Sequence, residues 1–263
     1  MKLVINKNYL TAFLGIVFCF FQANPAVAIS EQQLVVLGAA KNIEYVGQQI
    51  TKAYFYKHQG IRTANARKDL EKGMAELDAD INKLEASVLD EEDKNVLLFI
   101  TYTRDELKEI LSQPYSEENG ALMLDFSESL LEGANLMASK HIHKDNVEQS
   151  MLVVVKQMEF LLERINKYYI AHKAGFKDHN NVVQLENAII KFETDLKKVN
   201  AYHYPTSLQS NIEKLNKFWP IAKRFYSGIE KGALPVIVMA STDNLGKQLN
   251  KLLAFHHKAA TTK

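Results

Sequence analysis

Residues 41–60, KNIEYVGQQITKAYFYKHQG, closely resemble residues 156–175, KQMEFLLERINKYYIAHKAG. A shift of about 115 positions aligns the two stretches without gaps, and the match continues for more than about 40 residues. It pairs Glu44 with Glu159 and Gly60 with Gly175. Chance similarity between two amphipathic helices does not explain a match of this length. The sequence therefore predicts two copies of one structural unit.

Helix-breaking residues are rare in both units. Long breaker-free stretches rich in Leu, Lys, Glu, Ala and Gln favour helix almost throughout. The sequence predicts an all-α fold of two tandem up-down four-helix units. In the first unit we expect helices at about 31–59, 64–88, 91–112 and 119–142.

The helix ends and interruptions also follow from single residues. Gly60 and Gly175 are expected to stop the first helix of each unit, because glycine adopts the left-handed conformation readily. Pro235 suits the first turn of the last helix. Pro220 predicts a kink or a break in the seventh helix.

The junction between the units leaves two arrangements open. Residues 121–174 contain no proline and one glycine, so the fourth and fifth helices are expected to form either one continuous rod or two helices. A bend would fall at 140–149, with Asp145 as an N-cap.

The first 28 residues are typical of a secretory signal peptide. Lys2 and Lys7 precede the apolar run 10–21, and Ala26 and Ala28 occupy the small-residue positions of a cleavage site. The run is short for a membrane span, so cleavage is favoured over a membrane anchor. We therefore expect a periplasmic or secreted bacterial protein with no membrane span after cleavage. The expected divisions are a signal peptide at 1–28 and helical repeats at 29–143 and 144–263.

Composition argues against several functions. Without the signal, the charge is close to neutral, which does not favour nucleic acid as a partner. The one cysteine, Cys19, lies in the signal, so we expect no disulfide and no thiolate chemistry. No nucleophile elbow, phosphate-binding glycine loop, haem motif or di-iron Glu-x-x-His pair is present. We expect no enzyme activity, no cofactor and no metal.

The repeated helix carries the candidate site on its polar stripe. At about 100° per residue, polar residues fall opposite the apolar face in both copies. The stripe comprises Lys41, Glu44, Gln48 and Lys52 in the first copy and Lys156, Glu159, Glu163 and Lys167 in the second. One interpretation is a solvated face with Lys–Glu pairs. The other is a ligand-binding or partner-binding face, which the recurrence and the additional bulky residues outside the core arc favour.

This pattern resembles the N-terminal domain of type IV pili methyl-accepting chemotaxis transducers (PilJ-type), a domain also found in nitrate/nitrite sensors. The family helix runs approximately A-G-R-Q-R-M-L-S-Q-R-I-A-K-A-Y, followed by a glycine. The positions that carry the resemblance are Gln48, Lys52, Tyr54, Gly60, Arg164, Lys167, Tyr169 and Gly175. It implies an all-helical periplasmic binding or sensor module, whose relatives hold small anions at a helix pair through the central arginine.

The chain departs from the family at that arginine. Glu44 and Glu159 occupy the position in the two copies, and a carboxylate repels nitrate. The expected small ligand is therefore a cation or an amine. One hypothesis is that the repeats pair within one chain and bring the two carboxylates together. The alternative function is a structural or protein–protein interaction protein of the cell envelope, with an envelope protein as partner; the sequence also leaves a dimer open.

Overall fold

Eight α-helices form the part of the chain that the computed structural model describes, which is residues 31–87, 90–141, 147–229 and 234–261. No strand occurs in these ranges, so the predicted all-α class is confirmed. The predicted signal peptide lies outside the described residues. The helices are α1 (Glu31–His58), α2 (Thr63–Ser87), α3 (Glu91–Ser112), α4 (Glu117–Ser139), α5 (Val147–Lys173), α6 (His179–Ala201), α7 (Thr206–Tyr226) and α8 (Pro235–Thr261).

The helices pack in two similar sets, and each set contributes one helix to a central pair, α1 and α5. Helix α1 packs against α2 and α4, and α3 packs against α4. Correspondingly, α5 packs against α6 and α8, and α7 packs against α8. The two sets meet where α1 packs along α5, and their apolar side chains form one core cluster. This arrangement is compatible with two tandem four-helix units.

Helices α1 and α5 run in the same direction. The Tyr56 hydroxyl donates to Asn166 Oδ1 at 2.7 Å, and Lys52 lies 2.6 Å from Glu163. Residue numbers therefore increase together along both helices, with an offset close to the 115-residue sequence shift. As a result, equivalent positions of the two copies lie next to one another.

The chain reverses direction between α4 and α5. The side chains of Thr51 and Gln48 donate to the carbonyls of Met123 and Ser127, so α4 runs antiparallel to α1. Since α5 is parallel to α1, a continuous α4–α5 rod is wrong. The reversal falls within the predicted bend at 140–149, and the predicted N-cap Asp145 lies outside the described residues.

The glycine stops are confirmed. Gly60 and Gly175 have φ angles of 68° and 111°, in the region that favours glycine. In both copies the next residue closes the turn, with Ile61 N–H donating to the Tyr56 carbonyl and Phe176 N–H to the Ala171 carbonyl, each at 3.0 Å. The paired helices therefore end in the same way.

The two predictions about prolines had different outcomes. Helix α8 begins at Pro235, as predicted. Helix α7 continues through Pro220, so of the two predicted alternatives the break is wrong and the kink stays a prediction. The ring removes the N–H that would bond the Asn216 carbonyl, but the adjacent Trp219 is buried and stacks on Phe192 at 4.0 Å between ring centroids. Core packing around Trp219 offsets the lost hydrogen bond.

None of the helices in the described ranges combines the length and apolar character that a membrane crossing requires.

Candidate functional site

The predicted polar stripes lie on α1 and α5, which pack against each other, and part of each stripe is enclosed in the seam between them, which α4 covers from one side. Glu44 and Lys52 are 2% and 3% exposed, and Gln48 and Lys167 are 0% exposed. The interpretation of the stripe as a solvated face is therefore wrong for these residues. Tyr56, one of the bulky residues that lie outside the apolar arc of α1, is also fully buried, as expected for a helix covered on two sides.

An ion pair between α1 and α5 joins the two copies across the seam. Lys52 Nζ of α1 lies 2.6 Å from Glu163 Oε2 of α5. Burial opposes the charge of Lys52, but Glu163 and the more distant carboxylates of Asp69 and Asp243 outweigh it and raise the pKa of Lys52. Lys52 therefore keeps its charge, and its contact with Glu163 is part of the packing between the copies.

The equivalent lysine of the second copy has a different partner. Lys167 Nζ donates to Glu128 Oε1 at 2.6 Å and to Ser127 Oγ at 2.9 Å, both on α4. Arg164 donates to both oxygens of the same carboxylate at 2.7 Å. Two cations thus share one anion. Burial, assisted by the charge of Arg164, lowers the pKa of Lys167 to about 7, whereas the two cations lower the pKa of Glu128 to about 2 against the effect of its own burial.

Sequence reasoning missed Glu128, although a signal for it was present. Gln48 stands where the second copy has Glu163 and cannot neutralise Lys167; its amide donates instead to the Ser127 carbonyl at 3.2 Å. The missing charge comes from Glu128. The 115-residue shift aligns Glu128 with Asp243, so an acid recurs at this point of both fourth helices.

Glu44 lies at a cleft of about 270 Å³ bounded by α1, α4, α5 and α6. Leu161 and Phe160 line its apolar side, and the amides of Asn135 and Asn187 lie at its exposed rim. We call this space the Glu44 cleft. The buried carboxylate, the apolar wall and the rim amides form a recess suited to a small polar ligand.

The charge of Glu44 is only partly balanced. Its Oε1 accepts a hydrogen bond from Lys41 Nζ at 2.6 Å. Burial raises the pKa of Glu44, although the charges of Lys41 and Lys156 act in the opposite direction. An additional cation at this carboxylate would relieve the cost of burying its charge.

The cations of the cleft are already paired. Arg164 lines the cleft, but two nitrogens of its guanidinium donate to the two carboxylate oxygens of Glu128. The guanidinium also donates to Gln184 Oε1 at 2.8 Å. Lys191 at the rim lies 3.1 Å from Asp195. The cleft therefore presents Glu44 rather than an available cation, which disfavours an anionic ligand.

The hypothesis that Glu44 and Glu159 face each other is replaced by an arrangement in which a lysine is the main charged neighbour of each carboxylate. The charges acting on Glu44 are those of Lys41 and Lys156, and those acting on Glu159 are Lys156 and Glu163. The neighbour that the two carboxylates share is thus Lys156. Burial raises the pKa of Glu159 to about 7. Glu159 is not among the residues lining the Glu44 cleft.

The structure therefore separates the predicted site residues into different places. Gln48, Lys52, Glu163 and Lys167 form hydrogen bonds or ion pairs inside the closed seam. Glu44 lines the Glu44 cleft. The remaining two lysines of the stripe, Lys41 and Lys156, line a second cavity closer to the start of α1 and α5.

Comparisons of the chain with protein-family models, with curated proteins and with solved structures give no match. The resemblance to the pili transducer domain therefore stays a prediction from the residues.

Proposed function

We propose that the protein is a ligand-binding module, secreted or periplasmic, that holds a small amine in the Glu44 cleft. The observation that supports this most strongly is a 2% exposed carboxylate at a cleft between helices, on the stripe that both copies share. A wholly solvated stripe would have no recess for a ligand.

An amine fits the charges of the cleft better than an anion does. Lys41 satisfies one oxygen of Glu44, and a ligand ammonium would add a second charge-assisted hydrogen bond to that carboxylate. The rim amides of Asn135 and Asn187 offer both donors and acceptors to polar groups of the ligand. At about 270 Å³ the cleft has room for about nine water-sized groups.

The experiment is a thermal-shift screen of the purified protein at pH 7.5 (about neutral conditions) with ammonium, methylamine, putrescine, glycine and tetramethylammonium, all as chlorides. Sodium nitrate and sodium chloride control for the anion and for ionic strength. We expect at least one amine to raise the melting temperature. Absence of a shift with every amine, or an equal shift with sodium chloride, would sink the proposal.

Matched variants locate the site. Glu44→Gln keeps the shape of the cleft and removes the charge, so it should abolish the amine-dependent shift. Glu159→Gln makes the same chemical change at the equivalent position, which does not line the cleft, and should preserve the shift. Equal behaviour of the two variants would place the ligand elsewhere.

A separate observation favours the interaction-protein alternative. Leu98, Phe99 and Tyr102 on α3 are 67%, 41% and 58% exposed, and together they form an apolar surface. If this surface mediates assembly, sedimentation should show a concentration-dependent oligomer that Leu98→Lys disrupts. A monomer at all concentrations would count against self-assembly through this surface.

A further inference from the structure

A second cavity, of about 180 Å³, lies between the N-terminal halves of α1 and α5 and is more enclosed than the Glu44 cleft. Equivalent residues of the two copies line it. The 115-residue shift relates Leu37 to Leu152 and Lys41 to Lys156, and all four contribute to the wall. The cavity therefore lies on the local symmetry between the repeats. We call it the α1–α5 cavity.

The lining of the α1–α5 cavity combines aliphatic side chains with positive charge. Leu34, Leu37, Leu152 and Val153 supply the apolar wall. The ionisable side chains in the lining are Lys41, Lys156 and His257, and no carboxylate occurs among the described residues that line it. An apolar space with basic groups and no acid complements an amphipathic anion.

Lys156 is the group best placed to hold that anion. Lys41 is already bound to Glu44 at 2.6 Å. The charges of Glu159, Asp80 and Glu44 act on Lys156 from a distance. Within the described parts of the chain, no carboxylate oxygen lies at ion-pair distance from its ammonium group. Burial lowers the pKa of Lys156, as expected for a desolvated ammonium whose charge is incompletely balanced.

We propose that the α1–α5 cavity binds an aliphatic monocarboxylate, with its carboxylate on Lys156 and its alkyl chain against the four aliphatic side chains. The volume holds about six water-sized groups, which corresponds to an alkyl chain of about four to six carbon atoms. Leu34 is 41% exposed, so the cavity meets the surface there and provides an entrance. The proposal does not depend on amine binding in the Glu44 cleft.

The first test is a calorimetric titration of the purified protein with sodium acetate, butyrate, hexanoate and decanoate. Affinity should rise about threefold to fourfold per methylene up to hexanoate, since each methylene leaves water for an apolar wall. It should then level off, because the cavity is filled. No binding, or an affinity that rises undiminished through decanoate, would overturn the proposal, because the latter indicates a nonspecific apolar surface. Hexanol tests the charge and should bind at least about tenfold more weakly than hexanoate.

Two variants test the location. Lys156→Met removes the charge and keeps an unbranched side chain that is one atom shorter, so it should weaken hexanoate binding at least about tenfold and leave hexanol binding unchanged. A Cβ at Gly38, in the cavity wall, meets no atom within 4 Å, so Gly38→Leu should fill the cavity and abolish hexanoate binding. Gly246 on α8 is equally unobstructed but lines no described cavity, so Gly246→Leu is the matched control. Wild-type hexanoate binding by Gly38→Leu would refute this site even if Lys156→Met failed to fold.

Discussion

Lys52 Nζ and Glu163 Oε2 lie 2.6 Å apart in the closed seam between the two repeated helices. The two residues belong to different copies and are more than 100 positions apart in the sequence. Both are buried, so the pair is a tertiary contact that fixes the register of α1 on α5. Part of a stripe that the sequence presents as a candidate site thus serves to join the copies.

Removing one member of this pair should destabilise the protein strongly. Lys52→Met leaves the Glu163 carboxylate buried without its partner, which typically costs about 3–5 kcal/mol. The double variant Lys52→Met/Glu163→Met should recover much of that loss, since it leaves no unpaired charge. Urea unfolding of the wild type, both single variants and the double variant provides the measurement.

The matched control for that cycle is an exposed pair. Lys94 and Glu91 lie 2.6 Å apart, with side chains 55% and 84% exposed. Lys94→Met should change the free energy of unfolding by less than about 0.5 kcal/mol. If Lys52→Met is as mild as Lys94→Met, the seam pair does not hold the copies together.

Lys167 should make stability depend on alkaline pH. Its pKa falls to about 7 in the folded protein from an ordinary value of 10.5, because burial and Arg164 disfavour its charge. Between these values the unfolded chain binds the additional proton, so the free energy of unfolding should rise with pH, by at most about 1.4 kcal/mol per pH unit.

Urea unfolding at pH values from about 7 to 10 checks this effect against Lys167→Met. That variant leaves Glu128 paired with Arg164 and should lack the rise. Parallel pH profiles for the two proteins would mean that Lys167 does not titrate in this window.

Glu159 should produce the opposite slope under acidic conditions. Burial raises its pKa from 4.5 to about 7, so the folded protein binds the additional proton in that interval. The free energy of unfolding should therefore fall as pH rises from about 4.5 to about 7. Glu159→Gln cannot lose the proton, so its stability relative to the wild type should grow across the same interval. A constant difference between the two proteins would contradict the assignment.

Close packing of α1 on α2 should make Gly73 intolerant of a side chain. A Cβ at Gly73 would lie 2.8 Å from Cγ1 of the buried Ile50, so Gly73→Ala should destabilise the protein by about 1–3 kcal/mol through overpacking. Gly246→Ala is the control, because its Cβ meets nothing within 4 Å and should stabilise α8 by up to about 1 kcal/mol. Thermal unfolding compares them. Equal effects at both positions would show that α2 does not approach α1 this closely.

Local features were the most predictable part of the fold. The glycines at 60 and 175 determine the helix ends because few other residues adopt their backbone conformation, and Pro235 starts α8 because its missing N–H costs nothing there. The scarcity of proline and glycine around residues 140–149 did not show whether α4 and α5 form one continuous helix. The reversal follows from the parallel packing of α1 and α5, which is a tertiary constraint.

The candidate site was predictable in its residues more than in its geometry. Periodicity separates polar from apolar faces, but it does not show whether a polar face meets water or another polar face. Pairing the two repeats buried Lys52 and Lys167, and the neutralising Glu128 came from a helix that the stripe did not include. Glu44 alone among the eight predicted site residues lines the cleft between α1, α4, α5 and α6.

The most direct test of amine binding is a calorimetric titration of the wild type and of Glu44→Gln with the amine that gives the largest thermal shift. Glu159→Gln serves as the matched control. We predict one ligand per wild-type chain, affinity at least about tenfold lower in Glu44→Gln, and unchanged affinity in Glu159→Gln. Equal affinities in the wild type and Glu44→Gln, or no measurable binding to the wild type, would contradict a ligand site at Glu44.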